Sequence, residues 1–438
     1  MSLFGTYKRE NTPRKYELNK TLVNHYQLSS KDTPLVDFTY TVTDVMTNGI
    51  PDKVYDLKIT RIYDENLKLK PFSLSEITDS NLLHWLEKRK APTGRAFMDK
   101  VLSSINENGN PLKYLEVTHA LSVNDAFWVN NLDYPLRWAD INLYSHKVDT
   151  VLANIAFTGA SRKLNGKHYS PELTTNGNQK KCWVNIGDTL FLRKGMMDFF
   201  DRNDRSDVYS EYYAAQVASV LEIDHVDYEL ELYKHQDGSK EITSLCPAFT
   251  DENTGYIPIF YLLNDELLYN LSSYRKELEI GEIYGREHFE DMMLFDSIIL
   301  NVDRHLGNFG MLFDTNTGEI LGPAPLFDHG NSLMSGAAGM DFKDFDKYLQ
   351  EVSNPYEISF DEMMKRFVQQ RHLSKIRKLL EFEFTPHPQF GDNTVYLSFM
   401  SNVIRQRAQK ALSLYREKEQ YKKQASEKES LKVHYELL

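Results

Sequence analysis

The chain has 438 residues, a formal net charge of −12, 41% hydrophobic residues and 12% aromatic residues. This composition is typical of a globular protein long enough for two or three domains, and it excludes a largely disordered chain. The negative charge argues against a generic nucleic-acid-binding protein, because phosphate backbones bind basic surfaces. Cys182 and Cys246 are the only cysteines, too few for a disulfide scaffold or a cysteine zinc site.

The start of the chain is polar and lacks the apolar region of a signal peptide. Apolar runs also stay well below the roughly 18 residues that a membrane-spanning helix needs. We therefore predict no membrane insertion and expect a cytoplasmic protein in a reducing compartment.

Residues 1–150 predict an α+β region without recognisable chemistry. Alternating apolar and polar residues over 35–63 predict a β-hairpin. Asp79 is expected to cap a helix that ends near Pro92, and a second helical pattern covers about 96–106.

Residues 151–265 predict a sheet followed by a helix. The polar, turn-prone loop 174–181 precedes a strand over 182–186, and a second strand ends at Lys194. A helix with one apolar face is predicted from about 207 to 221.

Residues 266–400 predict a mainly helical region. A helix over 287–301 has an apolar face and leads directly to Asp303. Residues 315–318 have the composition of a hairpin turn, with the strand after it running to the acid at position 328. The final segment, 401–438, is rich in charged residues and is interpreted as a solvated helix.

The 301–310 loop carries the most informative spacing in the chain. Asp303 is followed five positions later by Asn308, as in a kinase catalytic loop, where the Asp orients an attacking hydroxyl and the Asn binds magnesium. Asp328 follows in an Asp-His-Gly sequence, where a kinase places its main metal carboxylate. The plainer interpretation is polar surface turns. An acid at the end of a buried apolar strand nevertheless needs a partner, and magnesium prefers such oxygens.

His305 lies inside this loop. A lone histidine is seldom a metal ligand, and no second His or Cys lies at zinc spacing. We interpret it as a structural residue that is hydrogen-bonded within the loop beside the nucleotide site.

Three earlier features complete the parts that phosphoryl transfer requires. The 174–181 loop has Gly177, which allows close approach of a phosphate. Lys194 ends a strand, and Glu211 lies near the start of the next helix. Each feature alone has an ordinary explanation, as a turn, a solvated edge residue or a favourable helix-dipole charge. Their order along the chain is the order of a kinase.

Residues 303–308, Asp-Arg-His-Leu-Gly-Asn, resemble the D-R-H-x-x-N loop shared by phosphatidylinositol 3/4-kinase-like enzymes and HipA-like serine/threonine kinases. Residues 177–181 resemble the G-x-Q-x-K phosphate loop of the HipA-like branch, residues 210–213 its glutamate helix, and residues 325–328 its metal segment. The resemblance covers about 150–380 and extends to the compact CtkA-like kinases.

The resemblance implies an α+β, two-lobed protein-kinase-like fold of the HipA C-terminal type, with an additional N-terminal α+β region. It implies a serine/threonine protein kinase that uses ATP and Mg²⁺. Asp303 would be catalytic, and Asn308 and Asp328 would bind the metal. The ATP-binding residues would be Thr175, Asn176, Gly177, Asn178, Gln179, Lys181, Lys194, Glu211 and His305. Thr174 and Thr175 lie where HipA-like kinases can carry an autophosphorylated serine.

The resemblance also implies partners. A protein substrate is expected, and a bacterial toxin–antitoxin setting would add an antitoxin-like regulator; direct nucleic-acid binding is not predicted. Residues 1–150 do not resemble the usual HipA N-terminal subdomain. Two alternatives stay open: a phosphatidylinositol-kinase-like lipid kinase, and a non-catalytic interaction module with a kinase fold.

Overall fold

The structure of the protein is a computed structural model. It describes residues 21–47, 50–92, 94–104, 115, 118–160, 170–175, 177–196, 207–263, 273–335, 342–391 and 394–436. Asn176, one of the predicted ATP-binding residues, lies outside these ranges.

An antiparallel sheet forms the first part of the fold. Its strands are β1 (Thr21–Ser30), β2 (Thr33–Thr47), β3 (Ile50–Ile62) and β4 (Phe127–Asn131), in the order β3-β2-β1-β4. The pairing of β2 with β3 confirms the hairpin predicted over 35–63. Strand β1 was not predicted. Its residues are mostly polar, and only Tyr26 and Leu28 place large apolar side chains in the core.

Among the described residues, this sheet is accompanied by the helices α1 (Asp79–Lys88), α2 (Met98–Ser104), α3 (Trp138–Ile141) and α4 (Thr150–Thr158). The cap of α1 is Thr78, whose side chain accepts a hydrogen bond from the Asn81 backbone N–H. The prediction of Asp79 as the cap is therefore wrong by one position. The Asp79 carboxylate instead accepts a hydrogen bond from the Ile59 N–H of β3, at 2.8 Å.

A second antiparallel sheet carries the predicted lysine. It contains β5 (Lys181–Ile186), β6 (Thr189–Lys194), β7 (Glu229–Lys234) and β8 (Lys240–Pro247), in the order β5-β6-β8-β7, with α5 (Asp207–Val220) following β6. Lys181 pairs with Lys194, so both side chains point to the same face. Cys182 lies on the opposite face, where Phe157 of α4 packs.

A third sheet joins the middle of the chain to its second half. Strands β9 (Thr254–Pro258), β10 (Gly310–Asp314) and β11 (Ile320–Pro323) have the order β11-β10-β9. The hairpin between β10 and β11 confirms the predicted turn at 315–318. The strand predicted to run on to Asp328 is wrong. Pro323 and Pro325 have no amide hydrogen to continue a ladder, and Leu326 makes only an isolated bridge with His225.

Helices fill most of the remaining chain: α6 (Ser273–Tyr284), α7 (Arg286–Ile299), α8 (Phe345–Glu351), α9 (Phe360–Phe367), α10 (Leu373–Lys378) and α11 (Thr394–Glu436). Helix α11 continues through position 401, where a segment boundary was predicted. The predicted boundary at 265 separates β9 from its partner β10. Among the described helices, none combines the length and apolar character needed to cross a membrane.

One apolar core connects these layers. It extends from Tyr26 and Phe38 of the first sheet through Val217 of α5 and Phe295 of α7 to Ile404 of α11. The α+β class is thereby confirmed. The N-terminal region shares this core with the later helices, so its packing also supports the segments that carry the candidate site.

The first half of α11 should contribute directly to stability. Ile404 is fully buried, so Ile404→Ala should lower the free energy of unfolding by about 2–5 kcal/mol, because the change leaves a cavity. Val395 on the same helix is 74% exposed, and Val395→Ala should change it by less than about 0.5 kcal/mol. Urea unfolding measures both. Equal effects of the two substitutions would show that α11 is not part of the core.

Candidate active site

Lys194 lies where three elements meet. Its Nζ donates hydrogen bonds to Glu211 Oε1 at 2.7 Å and to Asp328 Oδ1 at 2.6 Å. Lys194 ends β6, Glu211 lies near the start of α5, and Asp328 follows β11. The side chains of Lys194 and Glu211 are 6% and 2% exposed, whereas that of Asp328 is 37% exposed. The Lys194–Glu211 ion pair is thus buried, whereas the Asp328 carboxylate that also binds Lys194 is partly open to solvent.

The three charges determine each other's protonation. Burial alone would lower the pKa of Lys194, but Asp328 and Glu211 raise it above its usual value. Burial alone would raise the pKa of Asp328, but Lys194 and Lys181 hold it below its usual range. At neutral pH the site therefore holds an ammonium next to an ionised carboxylate.

The backbone around Asp328 is held in an unusual conformation. Asp328 has φ of 60°, in the left-handed region that non-glycine residues seldom adopt. Its N–H donates to the Tyr228 hydroxyl at 2.9 Å, and the next N–H, that of His329, donates to Glu211 Oε2 at 2.6 Å. Conformations of this kind persist where the surroundings enforce them, often at functional sites.

The 301–310 loop is held by side-chain bonds to its own backbone. Asn301 Oδ1 accepts from the Asp303 N–H at 3.0 Å, and Asn308 Nδ2 donates to the Asp303 carbonyl at 2.9 Å. The Asp303 carboxylate accepts one further bond, from Asn331 Nδ2 at 2.9 Å. Asp303 and Asn308 are therefore brought together in one tight turn, and the Asp303 carboxylate is bound by Asn331.

Arg304 connects this loop to the segment of Asp328. It is 1% exposed, and its guanidinium binds both oxygens of Asp296 on α7, at 2.9 and 3.1 Å. Its Nη1 donates to the carbonyls of Asn308, at 2.9 Å, and of Phe327, at 2.6 Å. Nη1 of Arg304 therefore contacts both Asn308, which is predicted to bind metal, and Phe327, which precedes Asp328.

His305 is exposed, and its Nδ1 accepts a hydrogen bond from the Gly307 N–H at 3.0 Å. This is the bond within the loop that the sequence led us to expect. A direct contact with nucleotide stays a prediction.

Asn308 and Asp328 supply oxygens suited to a magnesium ion. The amide nitrogen of Asn308 is bound to the Asp303 carbonyl, and within the described residues no hydrogen bond reaches its Oδ1. Asp328 offers a partly exposed carboxylate. The described residues contain no group of three or more His, Cys, Asp or Glu side chains arranged as a metal site. Magnesium keeps several waters and uses one or two protein carboxylates, so the oxygens present fit it.

Gly177 of the 174–181 loop lies over the side chain of Lys181. Gly177 has φ of 90°, and a Cβ there would collide with Nζ of Lys181. Gln179 Nε2 donates to the Gly195 carbonyl at 2.6 Å and to the Asp207 carboxylate, which ties the loop to the residues just after Lys194. Burial, with the neighbouring charge of Lys194 next in size, lowers the pKa of Lys181 to about 7.

Asn178 is exposed at the tip of the loop, and the two threonines face its base. Thr175 Oγ1 donates to the Pro171 carbonyl at 2.6 Å and accepts from Trp183 Nε1 at 2.8 Å, while Thr174 Oγ1 donates to the same carbonyl at 3.2 Å. Their phosphorylation stays a prediction, and it would require these bonds to open.

Several residues that build the site were not predicted: Arg95, Tyr228, Asp296, Asn301 and Asn331. Asp296 had a usable signal, because a charged residue on the apolar face of a helix needs a buried partner. Arg304, eight positions later, is that partner. The others gave no local signal, since their partners lie far along the chain or act through the backbone.

No protein-family model matches the chain, and no curated protein matches it. Among solved structures, it is similar to the proinflammatory kinase CtkA of Helicobacter pylori, with 18% identity and a TM-score of 0.40. The match covers 55% of this chain and 95% of that chain. At this level the likeness is distant, and a function has to be argued from the side chains described above.

The Arg304 bridge should contribute strongly to the free energy of unfolding. Arg304→Met leaves the Asp296 carboxylate buried without its cation, so it should lower the free energy of unfolding by about 3–5 kcal/mol. Arg137→Met is a suitable control, because the Arg137 side chain is 78% exposed, and it should change stability by less than about 0.5 kcal/mol. Urea unfolding tests the pair, and an Arg304 variant as stable as the control would contradict the bridge.

Proposed function

We propose that this chain is an ATP- and Mg²⁺-dependent protein kinase that transfers the γ-phosphate to a serine or threonine hydroxyl. The observation that carries the proposal is the double ion pair of Lys194 with Glu211 and Asp328. A lysine held by a helix glutamate beside a metal-binding aspartate is the arrangement that phosphoryl transfer uses.

The residues have distinct parts in the proposed reaction. The acceptor hydroxyl oxygen forms a bond to the γ-phosphorus, the bond from that phosphorus to the β–γ bridging oxygen breaks, and ADP leaves. Asp303 orients the hydroxyl and accepts its proton. Lys194 has three donor hydrogens and uses two of them on Glu211 and Asp328, which leaves one for a phosphate oxygen. Magnesium on Asn308 and Asp328 would neutralise charge on the phosphates.

The loop 174–181 is proposed to bind the phosphates through its backbone and Lys181, with Thr175, Asn176, Gly177, Asn178 and Gln179. His305 would border the same site. A protein substrate and an antitoxin-like regulator belong to the same proposal and rest on the family resemblance. A cytoplasmic location is also proposed, and it rests on the low cysteine count and the short apolar runs of the sequence.

Loss of the Asp303 or the Asp328 carboxylate should abolish phosphate transfer without unfolding the protein. Asp303→Asn and Asp328→Asn should each lower phosphate incorporation by at least about 100-fold, because they remove the proton acceptor and a metal ligand. Asp227→Asn is the control, since the Asp227 side chain is 94% exposed, and it should retain full activity. The assay follows labelled γ-phosphate from ATP into a mixed protein substrate, with circular dichroism to verify folding.

The same assay separates the alternatives. Label that enters phosphoinositide vesicles and no protein would indicate a lipid kinase. No label, together with no magnesium-dependent thermal shift on adding ATP, would indicate a non-catalytic module and would overturn the proposal.

Nucleotide binding should take up a proton at mildly alkaline pH. The pKa of Lys181 is lowered to about 7, so this side chain is mostly neutral at pH 8. The charge of bound phosphates should raise the pKa again, so Lys181 regains a proton on binding, and affinity should fall as pH rises above 7. Calorimetry in buffers of different ionisation enthalpy measures the uptake, which Lys181→Met should remove. Equal uptake by the wild type and this variant would contradict the assignment of Lys181.

A further inference from the structure

A buried arginine of the N-terminal region holds both ends of the 174–181 loop. Arg95 is 2% exposed. Its Nη1 donates to the Glu172 carbonyl at 2.6 Å and approaches the Thr175 carbonyl at 3.5 Å, and its Nη2 donates to the Lys181 carbonyl at 2.6 Å. One planar guanidinium therefore spans the backbone just before the loop and the backbone where β5 begins.

The arginine is paired with an equally buried acid. Arg95 Nη2 also binds Glu172 Oε2 at 2.8 Å, and neither side chain is exposed at all. The other oxygen, Glu172 Oε1, accepts from the Trp183 N–H of β5 at 2.6 Å. The pair thus joins the start of the loop to the strand that follows it, and it does so on the side away from solvent.

The residue next to Arg95 holds the tip of the same loop. The Ala96 N–H donates to the Asn178 carbonyl at 3.0 Å. Asn178 immediately follows Gly177, the residue under which Lys181 lies. Residues 95 and 96 consequently contact the loop at its start, its tip and its end.

We propose that Arg95 is a positioning residue for nucleotide binding, which sets the span of the 174–181 loop so that its N–H groups and Lys181 face the phosphates. This inference rests on the proposed function of that loop. The N-terminal region is then a structural part of the nucleotide site, and its removal would leave the loop without its three backbone anchors.

The proposed positioning of the loop requires the planar geometry of the Arg95 guanidinium and not only its positive charge. A guanidinium presents several donors in a fixed plane, whereas a lysine ammonium is a single point. Arg95→Lys keeps a cation beside Glu172 but cannot bond the carbonyls of Glu172 and Lys181 from two separate nitrogens. This substitution therefore separates the neutralisation of Glu172 from the positioning of the loop.

Arg89 provides a matched control in the same region. It forms a bidentate, partly buried pair with Asp125, and its side chain is 10% exposed. It donates to the carbonyls of Ala120 and Phe127, both within the N-terminal region. Arg89→Lys thus makes the same chemical change at another paired arginine of the N-terminal region, one whose carbonyl partners are Ala120 and Phe127.

The experiment compares these two variants of the full chain. Arg95→Lys should raise the KM for ATP roughly tenfold with a smaller change in kcat, because misplaced binding groups weaken phosphate contacts before they affect the reacting hydroxyl. It should also speed hydrogen exchange of the backbone amides in 174–181 without nucleotide. Arg89→Lys should leave both readouts unchanged. If Arg95→Lys does not fold, Arg95→Met combined with Glu172→Gln removes the fork without leaving an unpaired buried charge.

The outcomes separate this inference from the proposed function. Equal ATP affinity and equal loop exchange in the two variants would overturn the role of Arg95 while leaving the kinase proposal intact. Faster loop exchange in the Arg95 variant alone supports the role of Arg95 in holding the loop. If the loop exchange is faster in the Arg95 variant but the wild type neither binds nor turns over Mg·ATP, the proposed function is overturned while the role of Arg95 in holding the loop stands.

Discussion

The arrangement of the candidate site depends on one buried ammonium that binds two carboxylates. Lys194 can satisfy Glu211 and Asp328 together only if β6, α5 and the segment after β11 converge on one point. Burying such charges is expensive unless the pairing geometry is good, so any displacement of one element leaves an uncompensated charge. The rest of the site follows from this constraint. The left-handed backbone at Asp328, the bond from His329 to Glu211 and the support from Tyr228 all hold the aspartate within reach of the lysine.

The irregular segments around that point are held by arginine. Arg304 fixes the 301–310 loop, and Arg95 fixes the 174–181 loop. In each case a buried guanidinium donates to backbone carbonyls in the loop or directly next to it. Buried carbonyls need donors, and the planar fork of arginine can serve several at once. Side chains therefore hold both loops in place where regular secondary structure does not.

The sequence predicted those parts of the site that short-range patterns encode. The strands around Gly187, helix α5, helix α7 and the spacing of Asp303 and Asn308 all depend on neighbouring residues, and the structure has each element near its expected place. The prediction of a strand that runs to Asp328 was wrong, because two prolines prevent the ladder of hydrogen bonds from continuing. Contacts between distant residues left no such pattern.

Arg95 is the clearest example of that limit. It lies 77 positions from Glu172, in a region predicted to have no recognisable chemistry, and nothing in its immediate neighbours indicates a buried partner. Strand β1 was missed for a related reason, because its polar residues become a strand only through pairing with β2 and β4. Long-range pairing also joins segments far apart in the chain, since β9 belongs to a sheet with β10.

A crystal structure with Mg²⁺ and a non-hydrolysable ATP analogue tests the central claim most directly. The account predicts a phosphate oxygen in contact with Lys194 and a cation bound by both Asn308 and Asp328. A nucleotide bound elsewhere, with the ion pair of Lys194 and Asp328 intact and no cation on Asn308, would contradict it.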